Sequence, residues 1–143
     1  MKDLYSHLGL AIAIPAAAYD ADNTPAAVDL QGFHSALIEI AIGVGGITFS
    51  GTNKIEFVLT HSDDDVSYSN VTVDDLLGVA SVTDGIIKAL TSAHASPTVT
   101  PIGYIGNKRY LKLLADFSGT HGAATPIAAT VIKGHADKRP VNT

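Results

Sequence analysis

Three consecutive carboxylates, Asp63, Asp64 and Asp65, invite a calcium reading. An EF-hand loop needs Gly at its sixth position for the sharp turn and a bidentate Glu at its twelfth. Counted from Asp63, those places hold Tyr68 and Asp74, so the pattern fails and a hydrated acidic loop is expected. The histidines are His7, His34, His61, His94, His121 and His135. None stands at a zinc-ligand spacing on a helix, and there is no cysteine to support one. A β-fold would have to gather distant ligands, with His61 and His121 the pair to watch; the expectation is no metal site and no cofactor. In Gly43–Gly46 the third glycine of a dinucleotide loop would fall at Thr48, so a turn or bulge is expected. Ser118 and His121 lie close in sequence but outside a nucleophile elbow, so no catalytic residue is assigned and no enzyme is expected. Asn70-Val71-Thr72 matches a glycan acceptor, a pattern too common to carry weight.

Lys108 and Arg109 form a small basic spot on an acidic chain. Two readings stand: contact with a carboxylate on a neighbouring subunit, or charges that keep a turn soluble. They sit within Pro101–Phe117, which reads as two strands joined by a tight turn at Gly106–Asn107, flanked by Tyr104 and Tyr110. Leu111, Leu113 and Ala115 alternate there with Lys112, Leu114 and Asp116, the period of a strand with two distinct faces.

The same period recurs along the chain. Leu8–Ile14 alternates Leu8, Leu10, Ile12 and Ile14 with Gly9, Ala11 and Ala13, predicting a strand whose large side chains share one face and which Pro15 closes. The stretch Leu8–Ala18 also imitates a secretory leader, but Asp3 cancels Lys2 and Pro15 interrupts it, so a strand is preferred. Short strands follow at Ala26–Leu30 and Ser35–Ile42, with a possible resumption at Ile47–Phe49. Within Ser35–Ile42, Ile38, Ile40 and Ile42 share one face, and Leu37, Glu39 and Ala41 the other. Lys54–His61 is the cleanest alternation, with Ile55, Phe57 and Leu59 pointing one way. Thr72 caps a single helical turn, and Gly85–Leu90 and Pro126–Lys133 complete seven to nine strands.

Short strands with turn signals and almost no helix predict an all-β fold, an antiparallel β-sandwich resembling a jelly roll. One domain over 1–143 is expected, with extended arms at both ends, an N-terminal arm at 1–7 and a C-terminal tail at 134–143. Hydrophobic residues are 46% and charged residues 16%, which argues for a packed core. A net charge of −5 argues against nucleic acid as partner, and no apolar run is long enough for a membrane helix. Short polar termini fray unless something holds them, so both ends are expected to be held, by the protein's own body or by neighbouring subunits.

The stretches Asp3-Leu4-Tyr5-Ser6, Gly103-Tyr104-Ile105-Gly106-Asn107-Lys108-Arg109-Tyr110 and Val131-Ile132-Lys133-Gly134-His135-Ala136 with Arg139-Pro140 resemble small virion structural proteins of tailed bacteriophages. His61–Tyr68 is similar to their strand ends. The resemblance implies a virion component, a head decoration (cement) protein on the major capsid protein, forming a homo-oligomer, most simply a trimer. Asp3, Leu4, Tyr5, Lys108, Arg109 and Tyr110 are its expected partner contacts. A head–tail or tail component is the alternative within that class. A carbohydrate- or receptor-binding module, stacking sugars on Tyr68, Tyr104 and Tyr110, is the alternative outside it.

Overall fold

The computed structural model describes residues 2–142; Met1 and Thr143, the outer ends of the two expected arms, lie outside the described residues. The strands are β1 (Gly9–Tyr19), β2 (Val28–Asp29), β3 (Phe33–Ile42), β4 (Lys54–Ser62), β5 (Ser69–Asn70), β6 (Leu76–Leu77), β7 (Ile86–Leu90), β8 (Thr98–Tyr104), β9 (Tyr110–Ser118) and β10 (Thr125–Ala136). Two antiparallel sheets form. One runs β1-β10-β3-β8-β6, and the other runs β2-β9-β4-β5 with β7 also on β4.

The pairings are nested. β1 pairs with β10, β2 with β9, β3 with β8 and β4 with β7. A chain paired in this way is one long hairpin rolled up so that successive strand pairs alternate between sheets. Contacts of β10 with β3 and of β4 with β9 complete the two layers. This is the double-sheet jelly roll, and the expected β-sandwich is the observed architecture.

Alternation builds the core. Ile38, Ile40 and Ile42 on β3 face Ile55, Phe57 and Leu59 on β4, and all are at most 2% exposed. Burying side chains of this size contributes about 1.5–3 kcal/mol each. Leu111, Leu113 and Ala115 of β9 and Ile127, Ala129 and Val131 of β10 fill the rest. Beyond the two-residue strand β2, Asn23 substitutes for a neighbour of β9: its Nδ2 donates to Leu113 O (3.2 Å) and its Oδ1 accepts from Ala115 N–H (2.7 Å). Asp22 accepts from Phe117 N–H in the same way. Backbone groups that would otherwise be orphaned are thereby satisfied.

Four local expectations are corrected. Tyr104 and Tyr110 do not flank a hairpin turn, because β8 and β9 lie in different sheets and the segment 105–109 crosses between them. Pro15 does not end β1: on an edge strand its missing N–H costs nothing, and the strand continues to Tyr19 through register shifts after Ile12 and after Ile14. Leu10 and Ile12 do not point into the core; they are 70% and 67% exposed, and the bulge turns both Ala13 and Ile14 inward. No strand forms at Ile47–Phe49, although Phe49 is buried.

At the ends, β10 extends through Ala136, three residues past the expected boundary at Lys133. The two terminal segments meet each other. Val141 N–H donates to Ser6 O (3.0 Å), and Asn142 Nδ2 donates to Tyr5 O (2.6 Å) and Leu8 O (2.9 Å).

Candidate assembly surface

The crossover 105–109 is held at each end by backbone bonds to other elements. Ile105 N–H donates to Asp75 O, and Leu30 N–H donates to Arg109 O, both at 2.8 Å. Its inner anchor is Tyr104, 4% exposed, whose hydroxyl accepts from Lys108 N–H (3.2 Å) and lies 3.0 Å from His61 Nδ1. Burial pushes the Tyr104 phenol pKa up, opposed by the bond from Lys108. Gly106 lies under the ring: a Cβ there would sit 2.6 Å from Tyr104 atoms.

The two cations of the crossover are paired within the chain. Arg109 grips Asp29 with two bonds, Nε to Oδ1 at 2.9 Å and a terminal nitrogen to Oδ2 at 2.7 Å, and its guanidinium lies 4.7 Å from the Tyr110 ring centre. That fork, aided by Gln31 N–H, holds the Asp29 carboxyl at a pKa of about 2. Lys108 pairs with Asp63.

The expected N-terminal contacts lie at the same end of the sandwich. Asp3 accepts from Ser6 N–H (3.2 Å), and bonding to Ser6 lowers its pKa. Leu4 and Tyr5 are 66% and 69% exposed. The turn Gln31–Phe33 stands between the two groups. On one side it lines a hollow of about 490 Å³ with Lys108 and Arg109; on the other it lines one of about 420 Å³ with Pro140 and Val141. The structure therefore brings Asp3, Leu4, Tyr5, Lys108, Arg109 and Tyr110 to one end of the roll, on either side of that turn.

The other candidates are dispersed. Asp64 caps its own loop, accepting from Ser62 Oγ, Val66 N–H and Ser67 N–H at 2.8–2.9 Å, which holds its pKa at about 2. Asp63 turns to Lys108, and Asp65 to the Tyr68 hydroxyl. Among the described residues no group of three or more His, Cys, Asp or Glu is placed to hold a metal. His61 and His121 sit near opposite ends of β4, His61 against Tyr104 and His121 against Phe117 at 4.8 Å. His121 donates to the Ser118 carbonyl, not its hydroxyl, and its Nδ1 is buried without a partner. The tyrosines expected to stack sugars are engaged: Tyr104 is buried, Lys112 lies 4.2 Å over Tyr68, and Arg109 lies over Tyr110.

Sequence reasoning missed two side-chain pairs and one face. Ser35 Oγ meets His135 Nδ1 at 2.7 Å, and His34 Nε2 meets Asp137 Oδ1 at 2.5 Å. The carboxylate orients His34 and not His135, so no Ser–His–carboxylate chain is completed there. The missed face is the outer side of the β1-β10-β3-β8-β6 sheet. Register aligns Leu10, Ile132, Leu37, Gly103 and Leu77 in one row across all five strands. The next row is Ile12, Thr130, Glu39 and Pro101; beyond it lie Ala128, Ala41 and Val99. The signal was present, since the solvent-side residues of Ser35–Ile42 include Leu37 and Ala41. A shallow apolar groove of about 510 Å³ lies at the far end of this face, between Ala17, Pro97 and Pro126.

No family model, curated protein or solved structure matches this chain.

Proposed function

We propose that this protein is a structural component of a tailed-phage virion, a decoration (cement) protein that binds the outside of the major capsid shell and works by contact, not catalysis. The observation that carries the reading is the end of the roll where the terminal segments and the crossover 105–109 come together. It presents Leu4, Tyr5 and Ile105, each more than half exposed, beside ion pairs already satisfied within the chain. Exposed apolar anchors rimmed by paired charge are what a protein-binding surface needs. A jelly roll is a common scaffold for capsid and lectin domains, which supports the class by fold-level analogy only. Several weak contacts tied together in one copy or oligomer would add up, because the first contact made raises the effective concentration of the next.

The test is sedimentation of the chain with shells assembled from a tailed-phage major capsid protein. Co-sedimentation to saturation, together with a higher shell melting temperature, is expected. Tyr5→Ala with Leu4→Ser should weaken retention at least about tenfold, the scale of a lost interface anchor. A chain that stays in the supernatant at excess shell would end the reading.

A further inference from the structure

We infer that the outer face of the β1-β10-β3-β8-β6 sheet is the surface through which this chain pairs with a second copy of itself. The inference rests on reading the chain as an assembly protein and names one of its partners.

An antiparallel sheet with one solvated face ordinarily carries polar residues there. Here the outer row Leu10–Ile132–Leu37–Gly103–Leu77 is wholly apolar, and Leu10, Ile12, Leu77 and Val99 are 57–70% exposed. Glu39 is the one charged side chain in the rows, and it makes no ion pair among the described residues. The area is sufficient. Four long strands at about 4.8 Å spacing span about 19 Å, and nine residues at about 3.4 Å each span about 30 Å. That is about 600 Å² in projection before β6 and side-chain relief are added, close to the ~800 Å² per partner of a standard interface.

The pattern is also self-complementary. A two-fold axis running along the strands, between β10 and β3, lays each β10 over the partner's β3. Register then puts Ile132 over Leu37, Ala128 over Ala41, and Glu39 over the hydroxyl of Thr130. The same operation puts β8 over β1, so that Leu10 enters the space left by Gly103 and Ile12 meets Pro101. An isologous contact of this kind closes at two copies. It departs from the trimer that the resemblance implies.

Analytical ultracentrifugation of the full chain tests it, with no shell present, so that failure to bind a capsid and failure to pair are separate results. A monomer–dimer equilibrium is expected. Leu37→Lys should raise the dimer dissociation constant at least about a hundredfold, as a charge placed in an apolar contact. Should Leu37→Lys fail to fold, Leu10→Lys decides: at 70% exposure it leaves the monomer intact and should also disrupt pairing. Glu39→Gln should tighten pairing by about threefold or more, because it removes a carboxylate that loses water in the contact. Weaker pairing in Glu39→Gln would show that the carboxylate binds a cation of the second copy, and would overturn the proposed arrangement, in which it meets only the Thr130 hydroxyl. A monomer at millimolar concentration, a trimer, or a dimer indifferent to Leu10→Lys would each overturn it as well.

Discussion

At the scale of single residues, Tyr104 is the side chain on which the crossover depends. Its ring leaves no room at Gly106, where a Cβ would come within 2.6 Å. Gly106→Ala should therefore destabilise the fold by about 1–3 kcal/mol, as overpacking does. Gly122→Ala, with nothing within 4 Å, should change stability by less than about 0.5 kcal/mol. Urea midpoints of the two variants make the comparison. Tyr104→Phe keeps the ring and strands both His61 Nδ1 and Lys108 N–H, at a cost of about 1–3 kcal/mol for buried groups left unpaired. The pH dependence lies with Asp29 and Asp64, whose pKa values fall from 3.8 to about 2 on folding. A depressed carboxyl pKa stabilises the fold above the unfolded value, and the contribution is lost as pH falls through the folded one. Stability should thus decline between about pH 4 and pH 2. Arg109→Met should flatten part of that decline, and only slightly, because the pair is over two-fifths exposed and solvent screens it. Denaturant titration at pH 5 and pH 2.5 reads it.

At the scale of elements, the strands with clean alternation were legible and their partners were not. Ile38, Ile40 and Ile42, and Ile55, Phe57 and Leu59, were assigned to one face by period alone, and they are the core. The single helical turn capped by Thr72 was also legible: Asp75 accepts from Thr72 N–H and Oγ1 at 2.8 and 3.0 Å. The β8–β9 stretch misled because two strands adjacent in sequence, separated by Gly and Asn, look the same whether they pair or cross between sheets. Pairing is decided by long-range contacts that no local pattern reports. A true turn signal went unread: Asp84-Gly85, both at positive φ, closes a tight turn with Ile86 N–H on Thr83 O (2.9 Å). β1 misled for another reason. Its bulge shifts the alternation by one residue, which reverses the facing of everything before it. The exchange is testable on the monomer in dilute solution. Ile14→Ala, 1% exposed, should cost about 2–5 kcal/mol, whereas Ile12→Ala should cost less than about 1 kcal/mol. Equal losses in thermal or urea melts would mean that β1 does not turn over at Ile12.

At the scale of the whole molecule, the nested pairing makes the first and last strands neighbours. β10 lies between β1 and β3, so the last long strand completes the sheet that the first began. Most contacts are therefore distant in sequence, and folding should be slow for the size, in the millisecond-to-second range of non-local β topologies. The same closure means that the terminal segments, joined by Val141 to Ser6 and Asn142 to Tyr5, end side by side. The fold should accordingly tolerate moving its ends. Joining the present termini through a short Gly/Ser linker and opening the chain at the exposed Ala80–Ser81 cuts the roll where it folds back on itself, between β6 and β7. No strand is severed, and the new ends lie in a surface loop, where circular permutation succeeds. The permutant should keep its far-ultraviolet spectrum and lose no more than about 2 kcal/mol by urea titration, within the range of ordinary single changes. It should also fold faster, since β1 and β10 become a local hairpin and their loop-closure entropy falls. Truncation before Thr125 should do the opposite: it strips the shared strand from both β1 and β3 and leaves an unfolded chain. A permutant that folds no faster would show that pairing of β1 with β10 follows the rate-limiting step instead of setting it.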